Sequence, residues 1–122
     1  MSKVESIVLV VDDDFDVRES LKFTLELDGL KVHACGSGAE LLAHPELSEA
    51  KCLVLDYKMP RMDGFEVLKR LAARKLVLPV ILITGPVTDA LRERAGEAGV
   101  FSVLEKPLLD NTLLEKIREV VA

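Results

Sequence analysis

Short apolar runs alternate along the chain with longer segments in which apolar residues recur every three or four positions. The short runs predict β-strands, and the longer period predicts amphipathic helices. Their alternation is typical of βα units built around a mostly parallel sheet. The five predicted strands occupy residues 7–11, 30–34, 52–55, 80–83 and 101–105.

The five predicted strands differ in how apolar they are. Residues 7–11, 52–55 and 80–83 are apolar at every position, which indicates strands that are buried on both faces of a sheet. Residues 30–34 and 101–105 mix apolar and polar side chains, as strands at the edges of a sheet do. The doubly wound strand order 2-1-3-4-5 places the apolar strands inside and the mixed strands at the edges. We therefore predict an α/β fold with a five-stranded parallel sheet of that order.

Five helices are predicted, and several have a recognisable start or end. The first ends at Gly29, which suits a left-handed cap, and the second and third open with capping boxes that begin at Ser37 and Asp63. The fourth, at about residues 88–98, is the weakest, because its inward residues are mostly Ala and Gly96 costs about 1 kcal/mol relative to Ala. Four apolar residues are predicted to form the inward face of the third helix: Phe65, Leu68, Leu71 and Ala72.

Composition narrows the class of protein. The 122 residues suffice for one domain with a hydrophobic core, which we expect to span residues 1–122. The net charge is -5 and no basic run exists, which disfavours a nucleic-acid surface within this domain. Cys35 and Cys52 lack the spacing of a zinc site or a disulfide scaffold. The longest apolar stretch, residues 76–83, is too short for a membrane span and the first residues lack a signal peptide, so we expect a cytoplasmic protein.

Polar residues suited to metal or phosphate chemistry follow four of the predicted strands. They are Asp12 and Asp13 after the first strand, Asp56 after the third, Thr84 after the fourth and Lys106 after the fifth. The carboxyl ends of parallel strands lie along one edge of the sheet, and ligands bind there, near the point where the strand order reverses. Carboxylates, a hydroxyl and an ammonium at one edge suit a divalent cation together with a phosphoryl group.

Three carboxylates gathered at one point are electrostatically costly. Two unit charges 4 Å apart repel by about 4 kcal/mol at an effective dielectric constant near 20. A hard divalent cation relieves this repulsion, and Mg²⁺ prefers one or two carboxylates with open positions for water or phosphate oxygens. Alternatively, the consecutive acids after the first strand cap the helix that follows, since acids suit helix N-termini. We favour the metal for Asp12, Asp13 and Asp56 together, and the cap for Asp14.

Asp56 stands alone at the end of a central strand and is the candidate nucleophile. A carboxylate can attack phosphorus and form an acyl phosphate, in a transfer that depends mainly on positioning and charge neutralisation. Mg²⁺ and the Lys106 ammonium would supply that charge, and the Thr84 hydroxyl can donate a hydrogen bond to a phosphoryl oxygen. Two alternatives stay open: a small Mg²⁺-dependent phosphatase that uses Asp12 and Asp14 as an Asp-x-Asp pair, and a module that signals by protein contact alone.

Four motifs carry a resemblance to a known family. They are Val-Val-Asp12-Asp13, Val-Leu-Asp56-Tyr-Lys-Met-Pro-Arg-Met-Asp63-Gly64, Ile-Leu-Ile-Thr84-Gly85 and Glu105-Lys106-Pro107. In this order and spacing they make the chain resemble, over essentially its full length, the receiver domain of two-component response regulators in the CheY-like superfamily. The resemblance implies a (βα)5, flavodoxin-like fold. It also implies a signalling domain rather than an enzyme, although such domains assist their own phosphoryl transfer and dephosphorylation.

The resemblance further implies roles for individual residues. Asp56 would accept a phosphoryl group from a phosphohistidine on a sensor histidine kinase or a phosphotransfer protein. Mg²⁺, or Mn²⁺ in its place, would be held by Asp13, Asp56 and the backbone carbonyl of Lys58, with Asp12 acting through water. The peptide bond that follows Lys106 would be cis, as in similar proteins.

The chain departs from the family at the position that usually switches. In similar proteins the Thr moves towards the phosphoryl group, and an aromatic side chain three residues before the Lys follows it inward. Here that position is Val103, and we expect Phe101 to pack instead in the core beneath the fourth and fifth helices. Our hypothesis is that switching works through Thr84 and the loop at residues 85–88, with the fourth helix mobile. The face made by helix 4, strand 5 and helix 5 would then control an output domain or partner, and it allows a phosphorylation-dependent homodimer.

Overall fold

Within the described residues, the five segments predicted as strands form one parallel sheet. The computed structural model describes residues 6–108 and 110–121. The strands are β1 (Ile7–Val11), β2 (Lys31–Cys35), β3 (Cys52–Asp56), β4 (Val80–Thr84) and β5 (Ser102–Glu105). Their order is β2-β1-β3-β4-β5, with β1, β3 and β4 buried at every position and the two edge strands only partly buried. The predicted fold class and strand order are therefore confirmed.

Five helices connect and follow the strands. They are α1 (Phe15–Leu27), α2 (Gly38–Leu42), α3 (Gly64–Ala73), α4 (Asp89–Glu97) and α5 (Thr112–Val121), with a single 3-10 turn at Leu47–Glu49 before β3. The first four begin where a side-chain oxygen accepts a hydrogen bond from the backbone N–H three residues further on, and those caps are Asp14, Ser37, Asp63 and Thr88. Among the described residues, no helix is both long and apolar enough to span a membrane.

Two hydrophobic cores lie on the two faces of the sheet. Successive side chains of a strand point to opposite faces, so Leu9 packs with α2, α3 and α4, whereas Val8 packs with α1 and α5. Cys35 and Cys52 are free thiols, one in each core. Burial raises the pKa of the Cys52 thiol to about 12, so this side chain behaves as a small hydrophobe. Because helices cover both faces of the sheet, its carboxyl edge is the part where a functional site can form.

Several strand boundaries and two side-chain placements differ from the sequence-based predictions. Strands β2 and β5 each begin one residue later than predicted, and β2, β3 and β4 each end one residue later. The prediction that Phe101 packs in the core is wrong, because its side chain is 44% exposed. Phe101 lies at the entry to β5, one residue before Ser102 begins the pairing with β4, and it belongs to neither core. On α3, Val67 is buried in place of the predicted Ala72, which is exposed.

Candidate functional site

Two buried carboxylates lie side by side at the carboxyl ends of the central strands. Asp56 is the last residue of β3 and is 5% exposed, and Asp12, directly after β1, is 2% exposed. The register pairs Val11 with Leu55, so the next residue of each strand reaches the same point. The backbone N–H of Asp12 still donates to Cys35 O in β2, at 3.1 Å, which fixes its backbone to the sheet.

Asp13 joins these two residues to form a cluster of three carboxylates. Asp12, Asp13 and Asp56 each offer one oxygen, and these oxygens all lie within 4.8 Å of one another. Asp13 is exposed, so the cluster opens to solvent on its side. Hard oxygen donors gathered at an accessible point are the donor set that Mg²⁺ prefers. The residues therefore fit a divalent cation.

Asp14, the next acid along the chain, lies outside this cluster. Its carboxylate accepts a hydrogen bond from Val17 N, at 3.2 Å, and caps α1. Its own N–H donates to Asp12 Oδ1 at 2.9 Å. The predicted capping role of Asp14 is confirmed, and this role counts against its use as the second acid of an Asp-x-Asp phosphatase.

Lys106 brings its ammonium into contact with both buried carboxylates. Its Nζ lies 3.4 Å from Asp12 Oδ2 and 3.3 Å from Asp56 Oδ1. Lys106 directly follows β5, and its backbone N–H donates to Thr84 O at 2.7 Å. The peptide bond between Lys106 and Pro107 is cis, as expected. The side chain thus reaches from the edge strand to the centre of the sheet.

Burial and repulsion raise the pKa of Asp56 to about 6. Desolvation is the largest cause, followed by repulsion from Asp12, and the nearby Lys106 ammonium lowers the pKa only in part. The pKa of Lys106 is raised: its own desolvation opposes this change, but attraction to Asp56 and Asp12 outweighs it. One ammonium therefore leaves the three carboxylates with an excess of negative charge, which a cation would neutralise.

Thr84 ends β4, the strand next to β3, and Lys58 lies in the loop that follows Asp56. Thr84 is 5% exposed, and it borders a recess of about 320 Å³ that is also lined by Tyr57, Leu91 and Arg94. Next to it, a side chain added at Gly85 would meet nothing within 4 Å. The side chain of Lys58 is exposed in the loop after Asp56. That loop is anchored on both sides, since Tyr57 N donates to Ile83 O and Gly64 N donates to Tyr57 O, both at 2.8 Å.

Several contacts around the site were not predicted from the sequence. The Arg18 guanidinium donates to Asp12 O at 3.2 Å, and Glu105 Oε1 accepts the N–H of Val87 at 2.8 Å. Arg94 of α4 lies over the ring of Phe65, with 4.1 Å between its Cζ and the ring centroid. The ring of Tyr57 also packs edge-on against Phe65, with 5.2 Å between the two ring centroids. No local motif marks these pairs, because their members lie on elements that meet only in the folded chain.

Comparisons with known proteins agree on one protein family. The family model described as response regulator receiver domain matches residues 8–118. The transcriptional regulatory protein FixJ of Azorhizobium caulinodans is 40% identical over 91% of this chain and 53% of its own length. The C4-dicarboxylate transport transcriptional regulatory protein DctR of Rhodobacter capsulatus is 38% identical over 88% of this chain and 56% of its own length. The chain thus spans about half the length of these two relatives.

Solved structures share the fold over nearly the whole chain. The chemotaxis protein CheY4 of Vibrio cholerae has a TM-score of 0.88 at 27% identity, covering 96% of this chain and 99% of that chain. The structure titled FixJ-N has a TM-score of 0.85 at 33% identity, covering 98% of this chain and 95% of that chain. These two likenesses agree with the doubly wound fold that the strand pattern predicts.

Proposed function

The chain belongs to the response regulator receiver domain family of two-component signalling, and from this premise we propose that residues 1–122 form a single phosphoacceptor domain. Asp56 accepts a phosphoryl group from a phosphohistidine on a sensor histidine kinase or a phosphotransfer protein. FixJ and DctR are about twice as long as the segment that matches. We therefore place the controlled output on a partner or on an output domain outside these 122 residues.

The observation that carries this proposal is the cluster of three carboxylates with Lys106 beside it. Asp12, Asp13 and Asp56 provide oxygens within 4.8 Å of one another, and Lys106 Nζ lies 3.3 Å from the proposed nucleophile. These three residues and the backbone carbonyl of Lys58 would hold Mg²⁺, or Mn²⁺, which accepts the same oxygen ligands. When bound, the ion supplies positive charge against the carboxylates and the phosphoryl oxygens.

In the transfer step, an oxygen of the Asp56 carboxylate attacks the phosphorus of the phosphohistidine. A new P–O bond forms while the P–N bond breaks, and the imidazole nitrogen keeps the electron pair of that bond. Because the pKa of Asp56 is about 6, the carboxylate is mostly ionised at neutral pH and can act as the nucleophile. The Lys106 ammonium orients this carboxylate and offsets charge on the phosphoryl group, and the domain assists the later loss of that group to water.

Thr84 couples the phosphoryl group to the surface. Its hydroxyl donates a hydrogen bond to a phosphoryl oxygen, and the loop at residues 85–88 follows it, carrying α4. The loop is open at Gly85 and is held by the bond from Val87 N to Glu105. This route needs no aromatic side chain at Val103, and it changes the face formed by α4, β5 and α5. Amide exchange that stays unchanged across residues 85–99 on phosphorylation would contradict it.

The direct test is intact mass after incubation with acetyl phosphate and Mg²⁺. We expect wild type to gain one labile phosphoryl adduct, and Asp56→Asn to gain none. Asp63→Asn is the matched control, because it removes a carboxylate from the same loop while Asn keeps the helix cap, and it should still form the adduct. An adduct on Asp56→Asn, or none on wild type although Mg²⁺ binds, would refute the assignment of Asp56 as phosphoacceptor.

A further inference from the structure

Positive charge is concentrated in one segment of a chain that is acidic as a whole. The net charge of the chain is -5. Residues 6–56 contain four Lys or Arg and eleven Asp or Glu, whereas residues 57–75 contain six Lys or Arg and only two Asp or Glu. The second segment comprises the β3–α3 loop, α3 and the turn that follows it. A local excess of positive charge favours an anionic partner at that surface.

Two adjoining depressions along the outer side of α3 bring these cations together. Their volumes are about 430 Å³ and 380 Å³, and Lys69 and Arg70 line both of them. We call the two depressions together the basic groove. The cations that line the basic groove are Arg61, Lys69, Arg70, Arg74 and Arg94.

The two acidic residues of the basic groove are already engaged. Asp63 Oδ1 accepts the N–H of Glu66 at 2.9 Å, and Glu66 Oε2 lies 3.2 Å from Arg70 Nε. Lys69 is exposed and forms no ion pair with any residue that the structure describes. The positive charge of Lys69 therefore remains available to a ligand.

The basic groove also has apolar lining and the length of a short peptide. Met62 and Phe65 line the first depression, and Leu42 and Ala73 line the second. The ten residues of α3 extend over about 15 Å at 1.5 Å per residue. An extended peptide covers that distance with about five residues, because a strand rises by about 3.3 Å per residue.

We propose that the basic groove binds an acidic segment of a partner protein, in which carboxylates alternate with apolar side chains. The carboxylates pair with the exposed Lys69 and Arg61, while the apolar side chains lie against the half-buried Met62 and Leu42. A nucleic acid fits less well, because the rest of the chain is acidic, so a row of phosphates that extended beyond the groove would meet repulsion. The proposal does not depend on phosphorylation of Asp56.

Fluorescence anisotropy with a labelled heptapeptide of alternating Asp and Leu tests the proposal. In 50 mM salt we expect saturable binding to wild type, and no binding of a heptapeptide of alternating Lys and Leu. Lys69→Glu should weaken the Asp peptide about tenfold, the loss of one close charge pair together with new repulsion. Lys51→Glu is the matched control, since it makes the same charge change at an exposed residue before β3, and it should change the affinity less than twofold.

Amide chemical shifts of wild type provide a second readout that does not depend on the variant. On titration with the Asp peptide, the shifts should move at residues 61–74 and 94. Absence of saturable binding, or an equal loss for Lys69→Glu and Lys51→Glu, would overturn the proposal. It would also be overturned if labelled oligo-dT bound the same residues more tightly than the peptide, or if Lys69→Glu abolished a self-association of the chain seen by sedimentation.

Discussion

Two consecutive strand–loop–helix units, β3–α3 and β4–α4, border the site but hold their helices very differently. α3 has ten residues and α4 has nine, and each begins with a side-chain cap, Asp63 or Thr88. Yet five residues of α3 are buried, whereas Ala95 is the only buried residue among those of α4 that the structure describes. Length and capping decide that a helix forms, but apolar burial decides how firmly it is held.

The β3–α3 loop is likewise held by more contacts than the β4–α4 loop. In the β3–α3 loop, backbone hydrogen bonds hold Tyr57 from both sides, and Gly64 packs closely against the backbone of Asp56 and Tyr57. In the β4–α4 loop, the hydrogen bond from Val87 N to the Glu105 side chain bridges an otherwise open segment at Gly85. Regions with few buried apolar contacts open at low free-energy cost. The proposed phosphoacceptor, Asp56, therefore lies on the more firmly held unit, and the proposed response lies on the less firmly held one.

Truncation of one leucine in each helix should give the largest difference in the free energy of unfolding between the two units. Leu71 of α3 is 3% exposed, and Leu71→Ala should lower the free energy of unfolding by about 2–5 kcal/mol, as deeply buried leucines do. Leu91 of α4 is only half-buried, so Leu91→Ala should cost roughly 1 kcal/mol by the same scaling. Urea unfolding of the two variants measures both values. Equal losses would break the comparison.

Removal of the Asp56 charge at the end of β3 should give the next largest change in the free energy of unfolding. Because the fold raises the pKa of Asp56 from its ordinary value of 3.8 to about 6, the ionised carboxylate destabilises the metal-free domain. This penalty is absent below about pH 4, grows as the pH rises towards 6, and is complete above it. Asp56→Asn should therefore raise the free energy of unfolding by roughly 2–3 kcal/mol at pH 7 and by almost nothing at pH 4.

Thr84→Val at the end of β4 is the control for this pH dependence, since the hydroxyl does not titrate in this range. Its effect on stability should be the same at pH 4 and pH 7, measured by urea unfolding in EDTA. Asp56→Asn with a pH-independent effect would show that the buried carboxylate is not the source of the penalty.

Substitution of two glycines by Ala should change the free energy of unfolding in opposite directions. A Cβ at Gly64 would lie 3.1 Å from Tyr57 Cα and 3.2 Å from Asp56 O, which is backbone that must shift. Gly64→Ala should therefore cost about 1–3 kcal/mol. At Gly96 a Cβ meets nothing within 4 Å, so Gly96→Ala should stabilise the protein by about 1 kcal/mol and slow amide exchange in α4. Thermal melts of both variants decide the signs, and equal signs would count against the contrast between the β3–α3 and β4–α4 units.

The smallest change in the free energy of unfolding should come from Arg94, the α4 cation that contacts Phe65 of α3. Arg94→Gln removes the guanidinium above Phe65 and should cost about 0.5–1 kcal/mol. Amide exchange should then quicken in α4 and not in α3. Arg92→Gln makes the same exchange at an exposed neighbour on α4, and an equal effect there would mean that the contact with Phe65 contributes nothing.

Local patterns in the sequence were enough for the elements and for the place of the candidate site. The strands and their order followed from the pattern of apolar residues, and the helix caps followed from polar residues at the helix starts. Both patterns act over a few positions of the chain. Because the carboxyl ends of parallel strands share one edge, the pattern also located Asp12, Asp13, Asp56, Thr84 and Lys106 at that edge. The weakness of the fourth helix was visible in its alanines and in Gly96.

Only the tertiary structure decided which side chains touch and how deeply each is buried. Phe101 lies outside both cores with its side chain 44% exposed, and Arg94 meets Phe65 because α3 and α4 share a face of the sheet. The pKa of Asp56 likewise depends on Asp12 and Lys106, which are distant in sequence. Periodicity is a property of neighbouring residues, whereas burial and electrostatics depend on every element that packs against a position. The sequence by itself therefore determined the helices, the strands and their order, and the tertiary packing determined the side-chain contacts and the pKa of Asp56.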